Sequence, residues 1–240
     1  MFERPHHQRI AHVLNSLNAE GLRAHGCLFG GGTCIALRHG EYRESVDIGL
    51  LISNLAGFRA LREQLTGVQG IAAITRAGAP ALQTAREVRA DQYGIRTWVS
   101  MDASLIKFEI VLEGRITLDA PGENDRVCGV STLTRRDLAT TKLLANADRW
   151  ADDGVFSRDL IDLSMLELPL PELRAALDKA RQAYGGAVTR DLGRALERLQ
   201  ARTGWLDRCM LAMGMAMPKA VLWQKLRKLR RVLRAPDAQP

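Results

Sequence analysis

Three consecutive glycines, Gly30, Gly31 and Gly32, followed by Thr33 and then by Asp47 at the head of an aliphatic run, constrain this chain more than any other stretch. Residues without a Cβ let a backbone turn sharply and approach a phosphate closely, and Thr33 adds a hydroxyl where a helix would begin. The order reads as a short strand from Leu28, the glycine turn, a helix from Thr33 to His39 ended by Gly40, a polar loop, and a strand from Val46 to Ile52. A period of two places Asp47, Gly49 and Leu51 on one face of that strand and Val46, Ile48 and Leu50 on the other.

A glycine turn followed by an aspartate-bearing strand resembles the nucleotidyltransferase fold of the DNA polymerase β type, in which GG(S/T) precedes a strand with Asp-x-Asp. More narrowly, GGGTCIALRHGEYRESVDIG resembles the AbiEii/AbiGii abortive-infection toxins, whose pattern is GGT, a short helix and Arg-x-Ser-x-Asp-x-Asp. The match runs from Gly30 to Asp47 and includes Arg43 and Ser45. It fails at Gly49, where the family pattern has its second aspartate. The resemblance implies an α+β chain: a polymerase β-like domain with a mixed sheet flanked by helices, then a helical domain. It also implies an NTP substrate and Mg²⁺ or Mn²⁺, with Gly31, Gly32 and Thr33 at the nucleotide and Asp47 as catalytic carboxylate and metal ligand.

Composition sets the outer limits. A chain of 240 residues, 46% hydrophobic, has material for one or two domains. Cys27, Cys34, Cys128 and Cys209 are scattered, without the Cys-x-x-Cys spacing of a zinc site, so a reducing, cytoplasmic setting is expected. No apolar run approaches the roughly 18 residues a membrane helix needs, and no membrane partner is expected. The net charge of +7 is localised: Lys219, Lys225, Arg227, Lys228, Arg230, Arg231 and Arg234 account for all of it, with no acid among them. A segment so basic suits nucleic acid or another polyanion.

Along the chain, Ile10, Val13, Leu14 and Leu17 predict an amphipathic helix over residues 7–20, with His6 and His7 as solvent-exposed imidazoles at its start. Asn54 and Gly67 bracket a helix from Leu55 to Leu65. From Val68 to Val130 the pattern is β-like, and in LIKFEIVL the residues Leu105, Lys107, Glu109 and Val111 share one face. Read from the residues, the alternatives are a surface or turn-capping aspartate for Asp47 and half of an ordinary edge salt bridge for Glu109. The family resemblance makes Glu109 the further catalytic carboxylate and metal ligand.

After Val130 the period becomes helical, which divides the chain into residues 1–130 and 131–240. Thr134 and Asp137 open a helix along which Lys142 and Arg149 lie two turns apart; by pattern alone this cation pair, on a face otherwise made of small residues, could reach phosphates or be an ordinary solvated face. By resemblance, Lys142 is catalytic and contacts the triphosphate, Arg149 also binds nucleotide, Asp159 and Asp162 arrange the site, and the nucleotide lies between the domains. Arg158 and Asp162 stand at pairing distance along a helix. Further helices are predicted at Pro171–Tyr184, Thr189–Arg202 and Pro218–Arg234, with Met210, Met213, Met215 and Met217 as core filling. On the last helix Lys225, Arg227, Lys228, Arg230 and Arg231 are candidate nucleic-acid contacts, against the alternative of a solvated helix face.

The expected function, carried by the resemblance, is that of a bacterial toxin–antitoxin or phage-defence nucleotidyltransferase. It would transfer NMP from an NTP to an acceptor such as tRNA or another RNA, and a cognate antitoxin would restrain it. Two alternatives stay open: a nucleotide- or RNA-binding relative impaired by Gly49, and a transferase acting on a small molecule of the antibiotic kind.

Overall fold

The computed structural model describes residues 2–234, and the chain divides into a first unit of residues 1–134 and a second of residues 135–240. The first unit opens with two helices, α1 (Pro5–Ser16) and α2 (Ala19–Ala24), where the sequence predicts one. Leu17 is extended, and the side chain of Asn18 accepts the Gly21 N–H at 3.0 Å, so a polar cap restarts the helix in mid-pattern.

The glycine segment follows as β1 (Leu28–Gly30), α3 (Gly31–Arg38) and β2 (Asp47–Ile52). The helix begins two residues before Thr33, because Gly31 takes φ +71°, a backbone angle that side chains disfavour, and turns the strand directly into the helix. Next comes α4 (Leu55–Thr66), capped by the Asn54 side chain, which accepts the Ala56 and Gly57 N–H groups. The short strands β3 (Gln83–Thr84) and β4 (Arg89–Ala90) precede the long hairpin of β5 (Gly94–Met101) and β6 (Ser104–Leu112). Asp102 and Ala103 join them with φ of 48° and 58°, the doubly left-handed turn whose twist matches a tight hairpin. A second small hairpin, β7 (Arg126–Val127) and β8 (Val130–Ser131), closes the unit.

The main sheet runs β1–β2–β6–β5, with β3 and β4 both pairing to β5. It is mixed: β2 and β6 are parallel, whereas β1 with β2 and β5 with β6 are antiparallel. Ile48, Leu50 and Ile52 on β2 and Ile106, Phe108 and Ile110 on β6 are buried together and form the centre of the core. The alternate residues of both strands are half-exposed, so the sheet presents one apolar and one chemically useful face. At the far end of α3, Arg38 binds Asp125 and Thr132, fastening that helix to the β7–β8 hairpin.

The second unit is helical: α5 (Arg135–Arg149), α6 (Arg158–Met165), α7 (Leu170–Tyr184), α8 (Ala187–Ala201), α9 (Trp205–Ala212) and α10 (Lys219–Leu229), the last continuing as a 3₁₀ turn to Leu233. The short α9 escapes a sequence reading because Gly204 and Gly214 bound it closely. Of the four methionines expected as core, only Met213 is buried; Met210 lies on the partly exposed side of α9, and Met215 and Met217 lie in the short segment between α9 and α10. Among the described residues no helix is long and apolar enough to cross a membrane.

Candidate nucleotide site

The glycine turn and Asp47 are brought together by α3. The Thr33 hydroxyl donates to the Asp47 carbonyl oxygen at 2.5 Å and lies 2.7 Å from the Ser45 hydroxyl. With the Thr33 proton directed at the carbonyl, Ser45 must donate to Thr33. Thr33 therefore fixes the first residue of β2 through its side chain, and the donors left toward an anion are the unpaired N–H groups of the helix start at Gly31, Gly32 and Thr33. The Asp47 carboxylate has no hydrogen bond or ion pair among the described residues, and it is half-buried at the head of β2.

The loop leading into Asp47 is held from α1. His7 is fully buried rather than solvent-exposed: one ring nitrogen meets Glu41 at 2.8 Å, and the other accepts the Ser45 N–H at 3.1 Å. His6 reaches the Val46 carbonyl at 3.1 Å. Both imidazoles thus grip the segment between α3 and β2. Glu41 in turn accepts the Glu3 and Arg4 N–H groups and caps the start of α1. Sequence reasoning missed His7; its one signal was a histidine on the apolar side of a helix.

Parallel pairing of β2 with β6 sets Asp47 opposite Lys107 and Gly49 opposite Glu109. Paired residues of neighbouring strands share a face, so Asp47, Gly49, Lys107 and Glu109 form one patch. Glu109 is not at a sheet edge: β6 is flanked by β2 and β5. It does form an ion pair, with Lys107 Nζ at 2.7 Å. A Cβ built on Gly49 would meet nothing nearer than the Gly30 carbonyl oxygen at 4.0 Å, so the position of the missing aspartate is open.

These donors fit one Mg²⁺ or Mn²⁺ better than two. Mg²⁺ commonly takes one or two protein carboxylates and fills its octahedron with water and substrate phosphates, and Asp47 and Glu109 supply that number. Among the described residues no group of three or more acidic, histidine or cysteine side chains could enclose an ion.

The second unit centres on a buried charge cluster. Lys142 Nζ lies 2.9 Å from Asp159 and 2.7 Å from Asp162, and Arg149 grips Asp159 through Nε at 2.7 Å and Nη2 at 3.0 Å. Burial alone would raise the pKa of Asp159, but Lys142 and Arg149 outweigh it and hold the carboxyl well below the usual range. The two cations expected at a triphosphate are satisfied here by α6 carboxylates. Asp162, a candidate partner of Arg158, takes Lys142, and Asp137, expected at a helix cap, is paired with Lys179 at 2.5 Å.

The family profile for the nucleotidyl transferase AbiEii toxin of type IV toxin–antitoxin systems matches residues 12–230. The chain belongs to the AbiEii nucleotidyl transferase toxin family. Two crystal structures from Helicobacter pylori are similar to this AbiEii-family chain. JHP933 shares 16% identity with a TM-score of 0.45, covering 96% of each chain. A candidate nucleotidyltransferase shares 18% identity with a TM-score of 0.45, over 94% of this chain and 97% of that one. No curated protein matches the sequence.

In this AbiEii-family chain the basic C-terminal segment is divided by its own fold. Lys225 and Lys228 turn to Glu167. Arg227, Arg230, Arg231 and Arg234 instead line a groove of about 470 Å³ with Trp223 and Gln200. The Arg227 guanidinium lies 5.6 Å from the centre of the Trp223 ring, and Arg230 binds Gln200. Of the five cations expected to contact nucleic acid, Arg227, Arg230 and Arg231 are at the groove and the two lysines are held by a carboxylate.

Proposed function

We propose that this chain is a metal-dependent nucleotidyltransferase that moves NMP from an NTP to an acceptor, with tRNA or another RNA as the acceptor class, and that an antitoxin encoded with it restrains it. The observation that carries this reading is the unpartnered carboxylate of Asp47, a residue whose backbone Thr33 fixes beside the free N–H groups that open α3 and which shares a sheet face with Glu109. The helix start would cradle phosphate oxygens, and Asp47 and Glu109 would hold Mg²⁺ or Mn²⁺. A bound divalent ion supplies charge neutralisation for the triphosphate and the departing pyrophosphate. In the transfer, a bond forms between the acceptor oxygen and the α-phosphorus while the bond to the bridging oxygen breaks; pyrophosphate leaves with the electron pair and the acceptor releases its proton. The groove around Trp223 offers guanidinium groups to the acceptor's phosphates and an aromatic ring to its bases.

Gly49 favours one competing reading, a nucleotide- or RNA-binding relative without turnover. Transfer of label from each α-labelled NTP to total RNA, in the presence of Mg²⁺ or Mn²⁺, separates the two. Labelling by the unaltered protein that falls to background in Asp47→Ala is the expected result. Labelling by Gly49→Asp alone would instead identify a binding protein that has lost its chemistry.

A further inference from the structure

Lys107 is not used by the site as described so far, yet it stands in the middle of it. The strand register sets it opposite Asp47, and its ammonium is 2.7 Å from Glu109, which is itself opposite Gly49. It lies on an interior strand rather than at a sheet margin, and its side chain is 35% exposed against 23% for Glu109. A lysine is a compact, strongly hydrated point charge that suits phosphate oxygens.

We propose that the Lys107 ammonium is the resident cation of this face, doing electrostatically what a second divalent ion does in a three-carboxylate site, so that the chain takes up a single divalent ion with its nucleotide. This rests on the reading of the Asp47 face as the nucleotide site. Charge balance supports it. Arg96, opposite Glu109 on β5, is paired with Asp91 at 2.9 Å and adds no net charge, so Asp47 and Glu109 together with Lys107 leave one net negative charge, and one divalent ion turns that into one net positive charge. Three carboxylates holding two divalent ions reach the same value. The substitution at 49 and the lysine at 107 are therefore compensating: the side that has lost a carboxylate faces a carboxylate already neutralised by an ammonium.

Space agrees with charge. A second ion beside Gly49 would find the Gly30 carbonyl and, from β1 and β2, no side-chain donor besides the Asp47 carboxylate that the first ion already uses. It would also have to draw Glu109 away from Lys107. A fixed ammonium about one strand spacing from Asp47, roughly 4.8 Å between backbones, avoids both demands and is in place before the nucleotide arrives.

The test counts metal ions. The full chain, Lys107→Gln, Lys107→Arg, Gly49→Asp and the Gly49→Asp/Lys107→Gln double variant are titrated with Mn²⁺ and a non-hydrolysable α,β-methylene NTP, with bound Mn²⁺ read by electron paramagnetic resonance and nucleotide affinity by calorimetry. The unaltered chain is expected to hold one Mn²⁺ per nucleotide and the double variant two. Lys107→Gln should weaken nucleotide binding at least about tenfold, with Lys107→Arg restoring most of it and thermal midpoints unchanged in both. Two Mn²⁺ per nucleotide in the unaltered chain, or full affinity in Lys107→Gln, would overturn the role of Lys107 while leaving the nucleotide site intact. No nucleotide bound by the unaltered chain would overturn the site and, with it, the proposal.

Discussion

At His7 the hydrogen-bond partners allow one protonation state. The Ser45 N–H can only donate, so the Nε2 that meets it carries the lone pair, and the proton sits on Nδ1, directed at Glu41. Burial is the largest influence on this imidazole and lowers its pKa below the ordinary 6.5, against the opposing pull of Glu41. A folded state that binds the proton less readily than the unfolded chain loses stability as pH falls below 6.5 and recovers it above. The thermal midpoint is expected to decline from pH 7 toward pH 5, and His7→Gln, which can accept from Ser45 without titrating, should flatten that decline. His7→Ala leaves the Ser45 N–H without its partner and should cost about 1–3 kcal/mol at pH 7 by denaturant melting. The same substitution should loosen the loop before Asp47, visible as faster hydrogen exchange at the Ser45 amide.

Between elements, the contact of α5 with α6 depends on charges that exist only as a set. Lys142 and Arg149 from one helix meet Asp159 and Asp162 from the other, and both carboxylates are almost wholly buried. Removing the ammonium leaves two buried carboxylates with less compensation, so Lys142→Met is expected to destabilise the second unit by about 3–5 kcal/mol. The depressed pKa of Asp159 means this contribution persists through neutral pH and is lost only as pH falls below the ordinary aspartate value toward its lower folded one. A loss of labelling in Lys142→Met has to be judged beside its denaturation curve; full stability in that variant would show that the cluster does not hold the helices. In the first unit the glycine turn, α4, β2 and β6 were legible in the sequence because their demands are local: Gly31 for a positive φ, Asn54 for a cap, alternating aliphatics for β2 and β6. What was not legible is long-range. Nothing near His7 announces Ser45, 38 residues away, and nothing near Lys142 says that its partners lie 17 or 20 residues on rather than in a phosphate.

On the scale of the whole molecule, the excess positive charge is concentrated in α10 and the turn that follows it, and Glu167 removes part of it by holding Lys225 and Lys228. What remains available is the arginine groove around Trp223. If RNA lies there, Arg227→Ala, Arg231→Ala and Arg234→Ala should each weaken RNA binding and lower the salt slope by about one unit, Trp223→Ala should weaken it by about 1–3 kcal/mol, and Lys225→Ala should change it less. Filter binding across a salt series would show this; equal losses for lysines and arginines would point to a diffuse field instead. The sequence located this charge but not its division, since the carboxylate that divides it sits on another helix. The open position at Gly49 has a consequence of a different kind. Changing the middle base of a glycine codon from G to A yields aspartate or glutamate, and the Cβ of either would meet no close neighbour there. The chain therefore stands a single base change from a third carboxylate on this face, and a population carrying it can gain or lose that carboxylate by mutation at one position.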